Sequence, residues 1–170
     1  MLLTWMLMKG VYTLIIKVHH RLEIMVGRLG VLAFEPGYWV YVGSAMGEGS
    51  TSIQNRIRRH LREKKATHWH IDYLLAADVS LEAVVWALSK ANYECRLSQR
   101  LGGHDFFRKG PVGFGASDCT MSCEVHLFHY DGPDPIIEVL SKAIEEIGLS
   151  PSAVIVDNIS SDKSGIWKAE

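Results

Sequence analysis

Residues 38–65 read YWVYVGSAMGEGSTSIQNRIRRHLREKK, an alternating aromatic segment that passes through glycines and small polar residues into a run crowded with cations. A strand of this kind delivers Tyr41 to the foot of a helix carrying Arg56, Arg58, Arg59, Arg62, Lys64 and Lys65. Tyrosine ordinarily titrates near 10, so it serves as a base only beside a metal or an arginine that favours its phenolate. Guanidinium supplies that charge, and its planar fork matches two phosphate oxygens in a way that lysine cannot. His60 follows Arg56 by one helical turn and shares its face, where it can move a proton or bind phosphate. The plainer alternative is a solvated cationic face with strand tyrosines packing across a sheet. Arg56 and Arg59 stand apart from the other cations because both fall near the apolar stripe of Ile53, Ile57 and Leu61.

Two further groups have ligand-like spacing. Cys119, Cys123 and His126 could hold zinc, with Cys95 or Asp118 as a fourth ligand, and would then clamp a late loop to the segment around residue 94. No paired C-x-x-C set is present, and free cysteine is often simply buried, so buried thiols are the favoured reading and structural zinc the alternative. In HWHIDY, an extended segment would place His68, His70 and Asp72 on one side. That suits a substrate-facing rim or a second metal site, but packing around Trp69 is the favoured reading.

These groups need a scaffold. The chain has 170 residues, of which 48% are hydrophobic and 22% charged, as expected of one folded domain rather than a disordered chain. A net charge of −1 means that any affinity for nucleic acid must come from a local patch. Three unevenly spread cysteines argue against a disulfide framework and for a reducing compartment. The opening MLLTWMLMKG is apolar but lacks a positive leading segment and falls short of the ~20 residues of a spanning helix. The expectation is therefore a cytoplasmic protein with no membrane partner.

GVYTLIIKV, LEIMVG, GVLAFE and GYWVYVG read as about four strands of one antiparallel sheet. The cationic helix follows, capped by Ser50, Thr51 or Ser52. LEAVVWAL reads as a buried strand, and NYECRLSQRLGG as a helix capped by Asn92 and stopped by Gly102 and Gly103. A glycine-rich loop leads to a strand at EVHLFHY. PDPIIEVLSKAIEEIGL is an amphipathic helix with Pro135 in its first turn, and AVIVDN a candidate edge strand before a polar tail.

In order along the chain, KGVYTLIIKV, VGRLG, GYWVYVGSAMG, RIRRHLREKKATHWHIDYLL, ECRLSQRL and GFGASDC resemble the GIY-YIG nuclease domain, and most of all its stand-alone Uri-type endonucleases. GVY at Gly10 and YVG at Tyr41 stand for the two namesake motifs. The resemblance covers about residues 9–130. It implies an α/β (α+β) fold with a small central antiparallel sheet flanked by helices. Residues 1–132 would form the nuclease-like domain, and residues 133–170 a C-terminal helix and tail packed on the same core; docking or dimerisation is the helix's alternative role.

The activity implied is metal-dependent hydrolysis of phosphodiester bonds in DNA, on branched, flapped or damaged structures in repair or recombination; RNA stays open. By resemblance Tyr12 and Tyr41 lie side by side and one of them, or the metal, activates water, Arg56 stabilises the phosphorane-like state, and His60 completes the R-x-x-R-H pattern. Glu94 matches the metal-binding glutamate, with Mg²⁺ or Mn²⁺ as cofactor. Arg59, Arg62, Lys64 and Lys65 would bind nucleic acid, and Arg59 is the substitute for Arg56 because SAMGEGSTS lengthens the path to the helix. No counterpart is evident for an asparagine that many such domains carry late in the chain. A non-cleaving nucleic-acid-binding module of the same fold is the alternative, though a carboxylate facing phosphate would serve it poorly. The sequence leaves oligomeric state open.

Overall fold

The computed structural model describes residues 8–156. The opening MLLTWML and the end of the AVIVDN segment with its tail lie outside the described residues. β1 (Gly10–Val18) is apolar on both faces, and it occupies the middle of a six-stranded antiparallel sheet of order β6-β7-β4-β1-β5-β8. Its neighbours are β4 (Gly37–Ala45) and β5 (Val79–Leu88). β6 (Phe107–Lys109) and β7 (Leu127–Tyr130) extend the sheet beyond β4, and β8 (Ser152–Ile155) forms the edge beyond β5.

β2 (Leu22–Met25) and β3 (Val31–Phe34) depart from the expected single sheet of four front strands, forming a separate two-stranded hairpin. Gly27 and Gly30, at φ +45° and +81°, fold the connection back on itself through a short 3₁₀ turn. Leu22 and Phe34 anchor the hairpin in the core while Met25 and Val31 stay exposed.

Helices cover both faces of the central sheet. α1 (Ile53–Leu61) and α2 (His70–Leu75) bury Ile53, Ile57, Ile71 and Leu74 against the face that carries Tyr12, Leu14 and Tyr41. α3 (Glu94–Gly102) and α4 (Ile136–Glu146) bury Leu97, Leu101, Leu140 and Ile144 against the face that carries Val11, Val42 and Val85. Continuous apolar strands thus reflect a sheet with no solvated side. Pro135 is the residue just before α4, where its fixed φ starts the turn. Ser52 caps α1 by position, without a side-chain bond to the helix. Asn92 Oδ1 accepts the Glu94 N–H and so begins α3.

The extended reading of HWHIDY is corrected by α2. Its Asp72 carboxylate accepts the backbone N–H groups of His68 and Trp69, both at 2.9 Å, and so closes the first helical turn. Within the helix His70 and Asp72 cannot share a side, whereas His68, which precedes it, lines one pocket together with His70. Among the described residues, no helix is long and apolar enough to cross a membrane.

Candidate active site and adjoining metal centre

Antiparallel register sets the first two side chains. Tyr12 lies opposite Gly43 and Leu14 opposite Tyr41, so the two tyrosines are diagonal neighbours on one face. The Tyr12 ring crosses Gly43 so closely that a Cβ there would sit 2.5 Å from ring carbon Cζ. Gly115, at φ +73°, leaves similar room for the Tyr41 ring. Tyr12 Oη lies 2.8 Å from His60 Nε2, and the His60 ring is 3% exposed. Burial pulls the His60 pKa down to about 3, so its imidazole is neutral at ordinary pH. His60 Nδ1 is buried and has no hydrogen-bond partner among the described residues. Burial also raises both phenols above their usual 10; Arg56 works against this at Tyr12 by its charge and by donating toward the phenol oxygen, and at Tyr41 by its charge alone.

Arg56 and Arg59 both lie over Trp69, their guanidinium carbons 4.6 Å and 4.3 Å from the ring centroid, yet they have different tasks. Arg59 donates to both oxygens of buried Asp72 at 2.8 Å and to the Ala66 carbonyl at 3.0 Å. It locks α1 to α2. Arg56 lines an open cleft of about 1000 Å³ together with Tyr12, Tyr41 and Glu94. Arg62 and Lys64 are exposed beyond the end of α1, while Lys65 Nζ donates to the His60 and Arg62 carbonyls and closes the helix.

Glu94 reaches the cleft from the opposite face of the sheet. Ser44, one residue past Gly43 on β4, points to that face and donates its hydroxyl to Glu94 Oε2 at 2.8 Å. His126 Nδ1 lies 3.1 Å from Oε1. The other side of the His126 ring faces sulfur. The ligand atoms of Cys95, Cys119, Cys123 and His126 all lie within 4.8 Å of one another, so the four could hold a metal ion. Cys95, rather than Asp118, completes the set. Cys95 Sγ lies 3.1 Å from Cys119 Sγ and 4.0 Å from His126 Nε2; these spacings bracket the roughly 3.8 Å edge of a tetrahedron with 2.3 Å metal–sulfur bonds. Burial raises the Cys95 and Cys123 thiols. It opposes ionisation of Cys119 too, but hydrogen bonds from Cys95 and from the backbone N–H groups of Cys123 and Met121 outweigh it and bring that thiol to about 7.

A protein-family model matches residues 11–149. Its description is "domain of unknown function DUF123". The chain belongs to this family. No curated protein and no solved structure matches it. The DUF123 match runs from β1 to just beyond α4, so it takes in both tyrosines, Arg56, His60, Glu94 and all four candidate metal ligands.

Within this DUF123 chain the cleft gathers two buried phenols, a guanidinium and a carboxylate from four separate elements. Such a set can accept a proton, hold an anion and coordinate a hard cation. Three participants escaped the sequence reading: Ser44, Asp72 as the partner of Arg59, and Trp69 as the platform under both arginines. Ser44 had a signal in the strand alternation, which sends it to the face away from Tyr41. The favoured reading of the cysteines as merely buried thiols gives way to its alternative, a metal-binding set with Cys95 as fourth ligand, whose members meet through the packing of α3 on the late loop.

Proposed function

We propose that this protein is a divalent-metal-dependent endonuclease of GIY-YIG type that hydrolyses phosphodiester bonds in DNA. The observation that carries the reading is the meeting of Tyr12, Arg56 and Glu94 in one open cleft. Glu94 suits Mg²⁺ or Mn²⁺. Its oxygens are hard donors on a partly exposed side chain, one protein ligand leaves room for water and phosphate, and Ser44 and His126 hold the carboxylate in place. When bound there, the ion would acidify a water and offset charge on the phosphate.

Tyr12 is better supported as the base than Tyr41, because its oxygen meets His60 Nε2 at 2.8 Å. The favourable His60 tautomer carries its proton on Nε2 and donates to Tyr12, leaving only an acceptor, Nδ1, unpartnered. Tyr12 Oη then receives a hydrogen bond from His60 beside the Arg56 charge, and both favour the phenolate that would take a proton from water. Arg56, held over Trp69, places its remaining donors on the phosphate, where charge grows in the transition state. The Cys95/Cys119/Cys123/His126 set suits structural zinc, since four protein ligands fill a tetrahedral shell. It would pin the 111–126 loop to α3, and its free thiols fit a reducing, cytoplasmic setting.

The test is cleavage of labelled single-stranded, duplex, flapped and four-way DNA with Mg²⁺, Mn²⁺ or chelator, comparing the parent with Glu94→Gln. Metal-dependent cutting lost in the variant is expected. Binding without cutting under every condition would replace this reading with a non-catalytic module, and cutting confined to an RNA control would replace the substrate.

A further inference from the structure

We propose that the thiolate–imidazole centre is also the positioning device for Glu94, so that occupancy of Cys95, Cys119, Cys123 and His126 sets the affinity of the cleft for its catalytic cation. This rests on Glu94 being the ligand of that cation. His126 is the joint. Its Nε2 faces Cys95 Sγ at 4.0 Å and its Nδ1 faces Glu94 Oε1 at 3.1 Å. A metal on Nε2 uses the lone pair there and excludes a proton from that nitrogen. The proton must then sit on Nδ1 and donate to Glu94, and the charge on the metal makes it a stronger donor.

The opposite tautomer shows what would be lost. With the centre empty and the proton on Nε2, a lone pair on Nδ1 would face a carboxylate oxygen at 3.1 Å, and the two would repel. The carboxylate would swing toward its remaining donor, Ser44.

The backbone gives this joint little freedom. The His126 N–H donates to the Phe114 carbonyl at 2.8 Å, and its own carbonyl accepts the Val42 N–H at 2.9 Å. The ring is 2% exposed. Cys95 is the chain neighbour of Glu94, so the same metal would also fix the start of α3. Glu94 is thereby held from the imidazole side, the hydroxyl side and its own backbone. His126 acts through Glu94 and is a positioning residue.

The experiment saturates the full-length protein with zinc, counts zinc per chain, and follows Mn²⁺ binding by the electron paramagnetic resonance of free Mn²⁺. Parent, Cys119→Ser and His126→Cys are compared. One zinc per chain is expected in the parent, with Mn²⁺ affinity falling 10–100-fold in both variants, the range seen when groups behind a metal ligand are lost. Cys119→Ser is informative because Cys119 is not among the hydrogen-bond partners of Glu94, which are Ser44 and His126, and His126→Cys because it keeps four possible ligands while deleting the donor. Unchanged Mn²⁺ affinity in folded His126→Cys or in Cys119→Ser that has lost its zinc, or a parent that takes up no zinc, overturns the proposal.

A second readout needs no substitution at the thiolates. Cobalt binding is titrated by its thiolate-to-cobalt band with and without Mg²⁺. The linkage is reciprocal, so Mg²⁺ should tighten cobalt binding 10–100-fold in the parent and leave it unchanged in Glu94→Gln. A cobalt affinity that ignores Mg²⁺ in the parent sinks the coupling. Mn²⁺ binding that Glu94→Gln leaves intact would instead remove the reading of Glu94 on which the coupling rests.

Discussion

The ring of Tyr12 occupies the space that a side chain on Gly43 would fill. No side chain fits between them, because a Cβ on residue 43 would come within 2.5 Å of Cζ and 2.6 Å of the hydroxyl. The glycine of YVG is thus a steric condition for the tyrosine of GVY. Gly43→Ala should displace the ring, destabilise the fold by about 1–3 kcal/mol as overpacking does, and lower cleavage more than binding. Thermal unfolding of the variant checks this directly. An unchanged melting temperature would show that Tyr12 does not occupy this position.

His60 makes stability depend on pH. Its folded-state pKa is about 3 against an ordinary 6.5, so below pH 6.5 the unfolded chain takes up a proton that the folded protein refuses. Its contribution is full above 6.5 and is lost as pH falls toward 3. At pH 4.5 the loss amounts to about 3 kcal/mol. His70, also lowered by burial, adds in the same direction, and Asp72, held below its usual range, adds only under pH 4. The contrast with His60→Asn isolates the His60 part: denaturant unfolding between pH 7 and 4.5 should show a shallower decline in the variant. Parallel declines would mean that His60 is not buried neutral.

Arg56 and Arg59 are one residue type, one turn apart, over one tryptophan, and their alanine variants should behave in opposite ways. Arg59→Ala leaves the Asp72 carboxylate, 1% exposed, without its paired cation, a loss on the order of 3–5 kcal/mol. Arg56→Ala removes a cleft side chain without a carboxylate partner. Its stability should change by less than about 1 kcal/mol, while cleavage falls by roughly 10²–10³-fold. Unfolding curves and initial rates on the same preparations decide the matter. A stable, inactive Arg59→Ala beside an active Arg56→Ala would exchange the two roles.

How far these assignments were legible in the sequence depended on the range of the interaction. Most strands and the longer amphipathic helices were readable because period-2 and period-3.6 patterns are local, whereas the three-residue β6 and the six-residue α2 are too short to show a period. The Tyr12–Tyr41 pairing came from resemblance, and the register β1/β4 gives it a geometry. HWHIDY misled because Asp72 is two residues from His70 and also the third residue of a helix; only the second description closes hydrogen bonds at His68 and Trp69. The grouping of β2 and β3 with the main sheet failed because strand-forming composition says nothing of which strands pair. The link between Glu94 and His126 spans two elements that sequence order does not place together. No spacing rule could have shown that the candidate catalytic carboxylate and the sulfur cluster share an imidazole.

Charge just past the end of α1 should be visible in salt dependence. Arg62 and Lys64 are exposed past the end of α1, whereas Lys65 is engaged by the His60 and Arg62 carbonyls. Each cation that neutralises a phosphate of duplex DNA contributes ~0.9 to the slope of log K against log salt. The double variant Arg62→Ala/Lys64→Ala should therefore flatten that slope by roughly 2 and weaken binding equally across sequences. Lys65→Ala should act differently, loosening the end of α1 with a smaller change in slope. Fluorescence anisotropy on a labelled duplex over a series of salt concentrations measures both. An unaltered slope in the double variant would place the DNA away from this end of α1, and a larger effect from Lys65→Ala would show that its carbonyl contacts give way to phosphate on binding.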